Sequence, residues 1–121
     1  MKSIHLVLIG TIVLISGDLF DTATTTIALL NPIYAGQFVE AGDPFIRLLM
    51  YDMGLATAGF LIGIVISFVF DALMIYAAYS ASHSFRYAGS LPAILFIMTL
   101  FGVGHWIAGY ENWLLLMSVG T

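Results

Sequence analysis

Three aspartates and a histidine, Asp18, Asp21, Asp71 and His105, stand in the middle of long apolar stretches. Carboxylates beside an imidazole can relay protons, hold a monovalent cation, bind a divalent metal or run general acid-base chemistry. The imidazole suits zinc or iron, and the carboxylates suit harder ions. An Asp facing lipid at the centre of a span costs about 2.5 to 3.5 kcal/mol on the insertion scale. Three of them must therefore face protein, water or an ion.

The elements that carry these residues follow from composition. Of 121 residues, 61% are hydrophobic and 8% are charged. A water-facing surface needs roughly a quarter of its residues charged, so a soluble globular protein is excluded and the solvent for most of the chain is the lipid bilayer. The formal net charge is -4, and the cations Lys2, Arg47 and Arg86 form no cluster, which excludes nucleic acid as a partner. The sequence has no cysteine. Disulfides, thiolate nucleophiles, zinc-thiolate sites and cysteine-ligated iron-sulfur clusters are excluded with it.

The pattern predicts an all-α polytopic integral membrane protein, one transmembrane domain over 1-121, with spans near 4-30, 55-79 and 91-117. Lys2 and the apolar run Leu6 to Ile15 have the layout of a signal peptide. No good small-x-small cleavage site follows and the hydrophobic stretch resumes to Leu30, so it reads as a retained first span. Asn31-Pro32 stops that span, and Asp43-Pro44, an N-cap followed by a favoured first helical residue, restarts a helix. The proline-free run from Phe45 to Tyr79 would be about 52 Å long as one helix, beyond the roughly 30 Å hydrocarbon layer. It is predicted to divide into a short interfacial helix near 44-53, carrying Arg47 and Asp52, and a second span that begins after a bend at Gly54. Ser80 to Ser84, with Arg86 and Tyr87, reads as the second loop, and Ser90 as the cap of the third helix. Lys2 and Arg86 on one side against Arg47 on the other place the N-terminus in the cytoplasm and the C-terminus opposite.

With spans centred near Gly17, Ser67 and His105, the four polar residues fall within about 6 Å of the midplane at 1.5 Å per residue. Asp18 and Asp21 lie on one helical face, continued by Thr22, Thr25 and Thr26. In the second span, Gly59, Gly63, Ser67 and Asp71 form an i, i+4 row that includes a G-x-x-x-G pair. The third span carries Gly102, His105, Gly109 and Asn112 on one side. Three such stripes predict a packed interior around an Asp, Asp, Asp, His set, with Gly59, Gly63, Ser67, Gly102 and Gly109 as the packing residues. Trp106, Tyr110 and Trp113 read as an interfacial belt, and His5 and His83 as solvated.

The stretch Gly17-Asp18-Leu19-Phe20-Asp21-Thr22, followed by Phe38-Val39-Glu40-Ala41-Gly42-Asp43-Pro44, resembles an uncharacterised class of small prokaryotic integral membrane proteins. In that class, Asp and Thr in the first span precede a Glu-x-Asn-Pro turn that opens the next helix. The likeness covers about the first half of the chain, and here the turn has one additional residue and Asp43 in place of Asn. It implies a shared polar site involving Asp21, Glu40 and Asp43, and no particular reaction.

The expected function is a structural or accessory membrane subunit, or a self-associating bundle, whose buried polar cluster joins the helices and carries a proton or cation. A homo-oligomer or a larger membrane complex is the expected state. One alternative is a proton or cation conduit built by oligomerisation, because three helices do not enclose a gated path. A second is a metal-dependent intramembrane enzyme using a divalent metal on Asp18, Asp21, Asp71 and His105. H-E-x-x-H, G-x-S-x-G and a second His at metal-ligand spacing are all missing from the sequence.

Overall fold

The computed structural model describes residues 3-30 and 56-119. The expected interfacial helix at 44-53, the loop with Glu40 and Asp43, and the signals at Asn31-Pro32, Arg47, Asp52 and Gly54 lie outside the described residues. Within them the chain is helical: α1 spans Ser3–Leu30, α2 spans Ala56–His83 and α3 spans Leu91–Val119, with a 3-10 turn at Ala88–Ser90 before α3. All three are long and apolar enough to cross a membrane. The protein is a multi-pass membrane protein of the all-α class, and no strand occurs among the described residues.

One boundary differs clearly from the sequence reading. α2 continues past Tyr79 through Ser80 to His83. Ala77, Ala78 and Ala81 favour helix there. Ser82 Oγ donates to the Tyr79 carbonyl at 2.7 Å, and His83 Nδ1 lies 3.0 Å from the same oxygen. Polar side chains thus add hydrogen bonds to a carbonyl in the last turns of α2. Ser90 closes the 3-10 turn, its hydroxyl donating back to the Tyr87 carbonyl at 2.7 Å. His5 and His83 are exposed.

Each helix turns one narrow seam inward and leaves its other faces to lipid. The inward positions follow alternating steps of three and four: Val7, Gly10, Leu14, Gly17, Asp21 and Thr24 on α1; Ser67, Asp71, Met74, Ala78 and Ala81 on α2; Leu91, Leu95, Met98, Gly102, His105, Gly109 and Asn112 on α3. This period keeps a seam facing its neighbours in left-handed helix packing. Ile12, Leu61, Val65, Leu73, Phe96 and Leu100 lie outside it and are exposed. In lipid, exposed apolar side chains cost nothing, so packing and polar contacts decide how the helices associate.

Contacts along the seams give the directions. Gly10 meets Leu95, Gly17 meets Gly102, and Phe20 meets Gly109, so α1 and α3 run parallel. Ser67 reaches Asp18, whereas Ala78 and Ala81 pack with Val7, so α2 runs antiparallel to both. α1 and α3 form the most extensive pair. A Cβ built on Gly102 would lie 2.7 Å from the Val13 carbonyl oxygen, and one on Gly17 would meet the Gly102 carbonyl. Glycine at both positions is what lets these backbones touch.

The seam changes character along its length. Val7, Leu14, Ala78, Ala81, Leu91 and Met98 form one buried apolar cluster. From Gly17 on α1 and Gly102 on α3 onward, and from Asp71 back toward the start of α2, glycine, hydroxyl, carboxyl, imidazole and amide groups replace it.

Candidate functional site: two carboxylate tiers in the bundle core

All four polar residues singled out from the sequence reach the bundle interior, within about 7 Å of their helix midpoints at 1.5 Å per residue. They divide into two tiers, a clasp around Asp21 and a pair formed by Asp18 and Asp71.

Asp21 joins α1 to α3. His105 Nδ1 lies 2.9 Å from Asp21 Oδ2, and a carboxylate can only accept, so Nδ1 carries the hydrogen. Asn112 Nδ2 donates to Asp21 Oδ1 at 3.2 Å, and Thr25 Oγ1 donates to the same oxygen at 3.4 Å. The Asn112 amide also reaches Thr25 Oγ1 at 2.9 Å and Thr24 Oγ1 at 3.2 Å. Thr24 Oγ1 gives its own hydrogen to the carbonyls of Phe20 and Asp21, at 2.9 and 3.0 Å. Both Asp21 oxygens are thus served by donors from two helices. This arrangement locks helix against helix, since each polar group would otherwise have to satisfy itself in a medium without water.

Asp18 joins α1 to α2 and is 1% exposed. Ser67 Oγ donates to Asp18 Oδ2 at 2.8 Å, and Thr22 Oγ1 donates to Oδ1 at 3.3 Å. Asp71 stands one turn along α2 from Ser67, on the same face, with its carboxyl beside that of Asp18. It too is 1% exposed, and among the described residues neither of its oxygens meets a hydrogen-bond donor. Buried polar groups are hydrogen-bonded in the great majority of cases, so a carboxyl with two orphaned oxygens calls for an account. Two dry carboxylates side by side cannot both stay charged without a cation between or upon them.

Around these tiers, Trp106 Nε1 donates to Ser16 Oγ at 3.0 Å, and its ring packs on Phe20 at 4.9 Å between centroids. Trp106 therefore belongs to the α1-α3 contact as well as to the lipid face, where the sequence reading put it in a belt. Among the packing residues, Gly102 and Gly109 meet Val13 and Phe20, and Ser67 binds Asp18. Gly63 is half-buried, and the surroundings of Gly59 lie outside the described residues. Gly10, Gly17, Ser16 and Thr24 are contributors that the sequence reading did not single out. A seven-residue glycine spacing, Gly10 to Gly17 and Gly102 to Gly109, was the available signal. Glu40 and Asp43 lie outside the described residues.

Among the described residues, no three of His, Asp and Glu converge on one point that could hold a metal ion. The four residues stand as two pairs, and the single imidazole is committed to Asp21. No protein family, curated protein or solved structure matches the chain significantly.

Proposed function

We propose that this chain is a small membrane subunit that takes up and releases a proton inside the bilayer, at the Asp18-Asp71 pair. The observation that carries the reading is Asp71, a carboxyl buried at mid-span with no donor on either oxygen. A proton on Asp71 turns one of those oxygens into a donor aimed at Asp18, which already accepts from Ser67 and Thr22. Removing the proton leaves two facing charges in a dry interior, so the loaded and unloaded states differ sharply in their demand for water or a partner. Intramembrane ionisable residues that a structural role does not satisfy mark proton and ion pathways more often than not.

The Asp21-His105-Asn112 clasp is the scaffold in this division of labour. Three helices enclose no gated path of their own, so the subunit works in a homo-oligomer or a larger membrane complex. With its N-terminus in the cytoplasm, the polar half of the seam faces the outer leaflet. The resemblance of the first half to the class described above adds Glu40 and Asp43 to the residues proposed to serve this polar site.

Infrared difference spectroscopy on the purified chain tests the assignment. A protonated carboxylic acid C=O band is expected in the wild type, lost in Asp71→Asn and retained in Asp21→Asn. Absence of the band in the wild type, or its persistence in Asp71→Asn, would overturn the reading. Native mass spectrometry of gently extracted protein is expected to find the chain in an oligomer or complex; monomers throughout would remove the assembly half of the proposal.

A further inference from the structure

We infer that a small alkali cation of the sodium class competes with the proton for Asp71, an inference that rests on the proton-exchanging role proposed above. The argument turns on counting oxygens. A proton makes one Asp71 oxygen a donor and leaves the other buried with nothing to accept from. A cation lying against the carboxyl satisfies both oxygens at once.

The surrounding groups suit such an ion. The carboxyls of Asp18 and Asp71 and the hydroxyls of Ser67 and Thr22 offer oxygen alone. Each hydroxyl spends its hydrogen on Asp18 and keeps lone pairs for an ion. The nearby nitrogens, His105 Nδ1 and Asn112 Nδ2, are turned to Asp21. An all-oxygen set selects hard cations. A divalent ion asks for six or more oxygens, usually with further carboxylates, and no third acidic or imidazole ligand joins this pair among the described residues. Two carboxyls buried to 1% exposure present a strong field, whose attraction grows as the ion approaches more closely and so favours the smaller alkali ions. The ionisable groups facing the site are Asp18 from α1 and His105 from α3, with Asp21 behind His105.

A carbodiimide reacts with protonated buried carboxyls and so reports on the competition. The full-length chain, in its own membranes, is treated in KCl and in NaCl at equal pH and ionic strength, and modification of Asp71 is followed by mass spectrometry. Labelling several-fold slower in NaCl is expected, and Ser67→Ala should shrink the ratio between the two salts. Equal rates in the two salts overturn the cation and leave the proton reading standing. No labelling of Asp71 in KCl overturns both. Should Ser67→Ala fail to fold, the melting temperature of the wild type must still rise with NaCl and that of Asp71→Asn must not; an equal rise in both overturns the inference.

Discussion

With the proton of Asp71 removed at alkaline pH, replacing that residue by Asn should make the protein more stable, an unusual outcome for a residue at the centre of a bundle. Neither oxygen of Asp71 has a donor among the described residues, and the side chain is fully buried. Leaving a buried polar group unsatisfied costs about 1 to 3 kcal/mol. Asn keeps the shape, cannot ionise, and turns an N–H toward the Asp18 carboxylate that already accepts from Ser67. A gain of about 1 to 3 kcal/mol is therefore expected for Asp71→Asn. The opposite holds for Asp21, which accepts from His105, Asn112 and Thr25. Interhelical hydrogen bonds in membrane proteins average about 0.6 kcal/mol each, so losing the two from His105 and Asn112 in Asp21→Ala should cost about 1 kcal/mol. Reversible unfolding in mixed micelles, titrated with a denaturing detergent at alkaline pH in potassium buffer and followed by circular dichroism, gives both values. The two midpoints should move in opposite directions. A fall for Asp71→Asn as large as that for Asp21→Ala would refute the division into an exchanging pair and a structural clasp.

Gly102→Ala places a methyl group 2.7 Å from the Val13 carbonyl oxygen and should cost about 1 to 3 kcal/mol by overpacking, measured in the same titration. Gly104→Ala, two residues along the same helix, meets nothing within 4 Å and should stay within about 0.5 kcal/mol of the wild type. Leu14→Ala removes a fully buried side chain from the apolar half of the seam and should cost about 2 to 5 kcal/mol, with the infrared carboxylic acid band unchanged. Trp106→Phe removes the N–H donated to Ser16 while keeping an aromatic ring beside Phe20. It should cost about 0.6 kcal/mol and shift the near-ultraviolet circular dichroism.

The three spans were legible because charge is so scarce that each long apolar run has one reading, and the intramembrane carboxyls were legible because lipid penalises them. The partition of those carboxyls was not. Asp18 and Asp21 sit three residues apart on one helix, yet Ser67 claims the first and His105 claims the second. Which neighbour a residue meets depends on the register of an antiparallel α2 against a parallel pair, and no local pattern encodes that register. The packing glycines show a related effect. A template of four-residue spacing drew attention to Gly59 and Gly63, whereas the close backbone approach occurs at Gly17 and Gly102, whose partners Gly10 and Gly109 lie seven residues away. The end of α2 was missed for a third reason. Serine and histidine read as loop residues, but Ser82 and His83 spend their polar atoms on the Tyr79 carbonyl and extend the helix.

The change in the seam from apolar to polar divides the bundle into a dry half and a polar half. Val7, Leu14, Ala78 and Met98 fill the half that holds the start of α1, and the buried polar side chains among the described residues, Asp18, Thr24, Thr25 and Asp71, lie beyond them. Since α1 and α3 run parallel, the polar half lies toward their C-terminal ends. On the proposed function, a proton held at Asp18 and Asp71 meets no buried polar side chain in the dry half among the described residues. A single copy would then store or buffer charge, and vectorial movement would call for a neighbouring subunit to complete a relay.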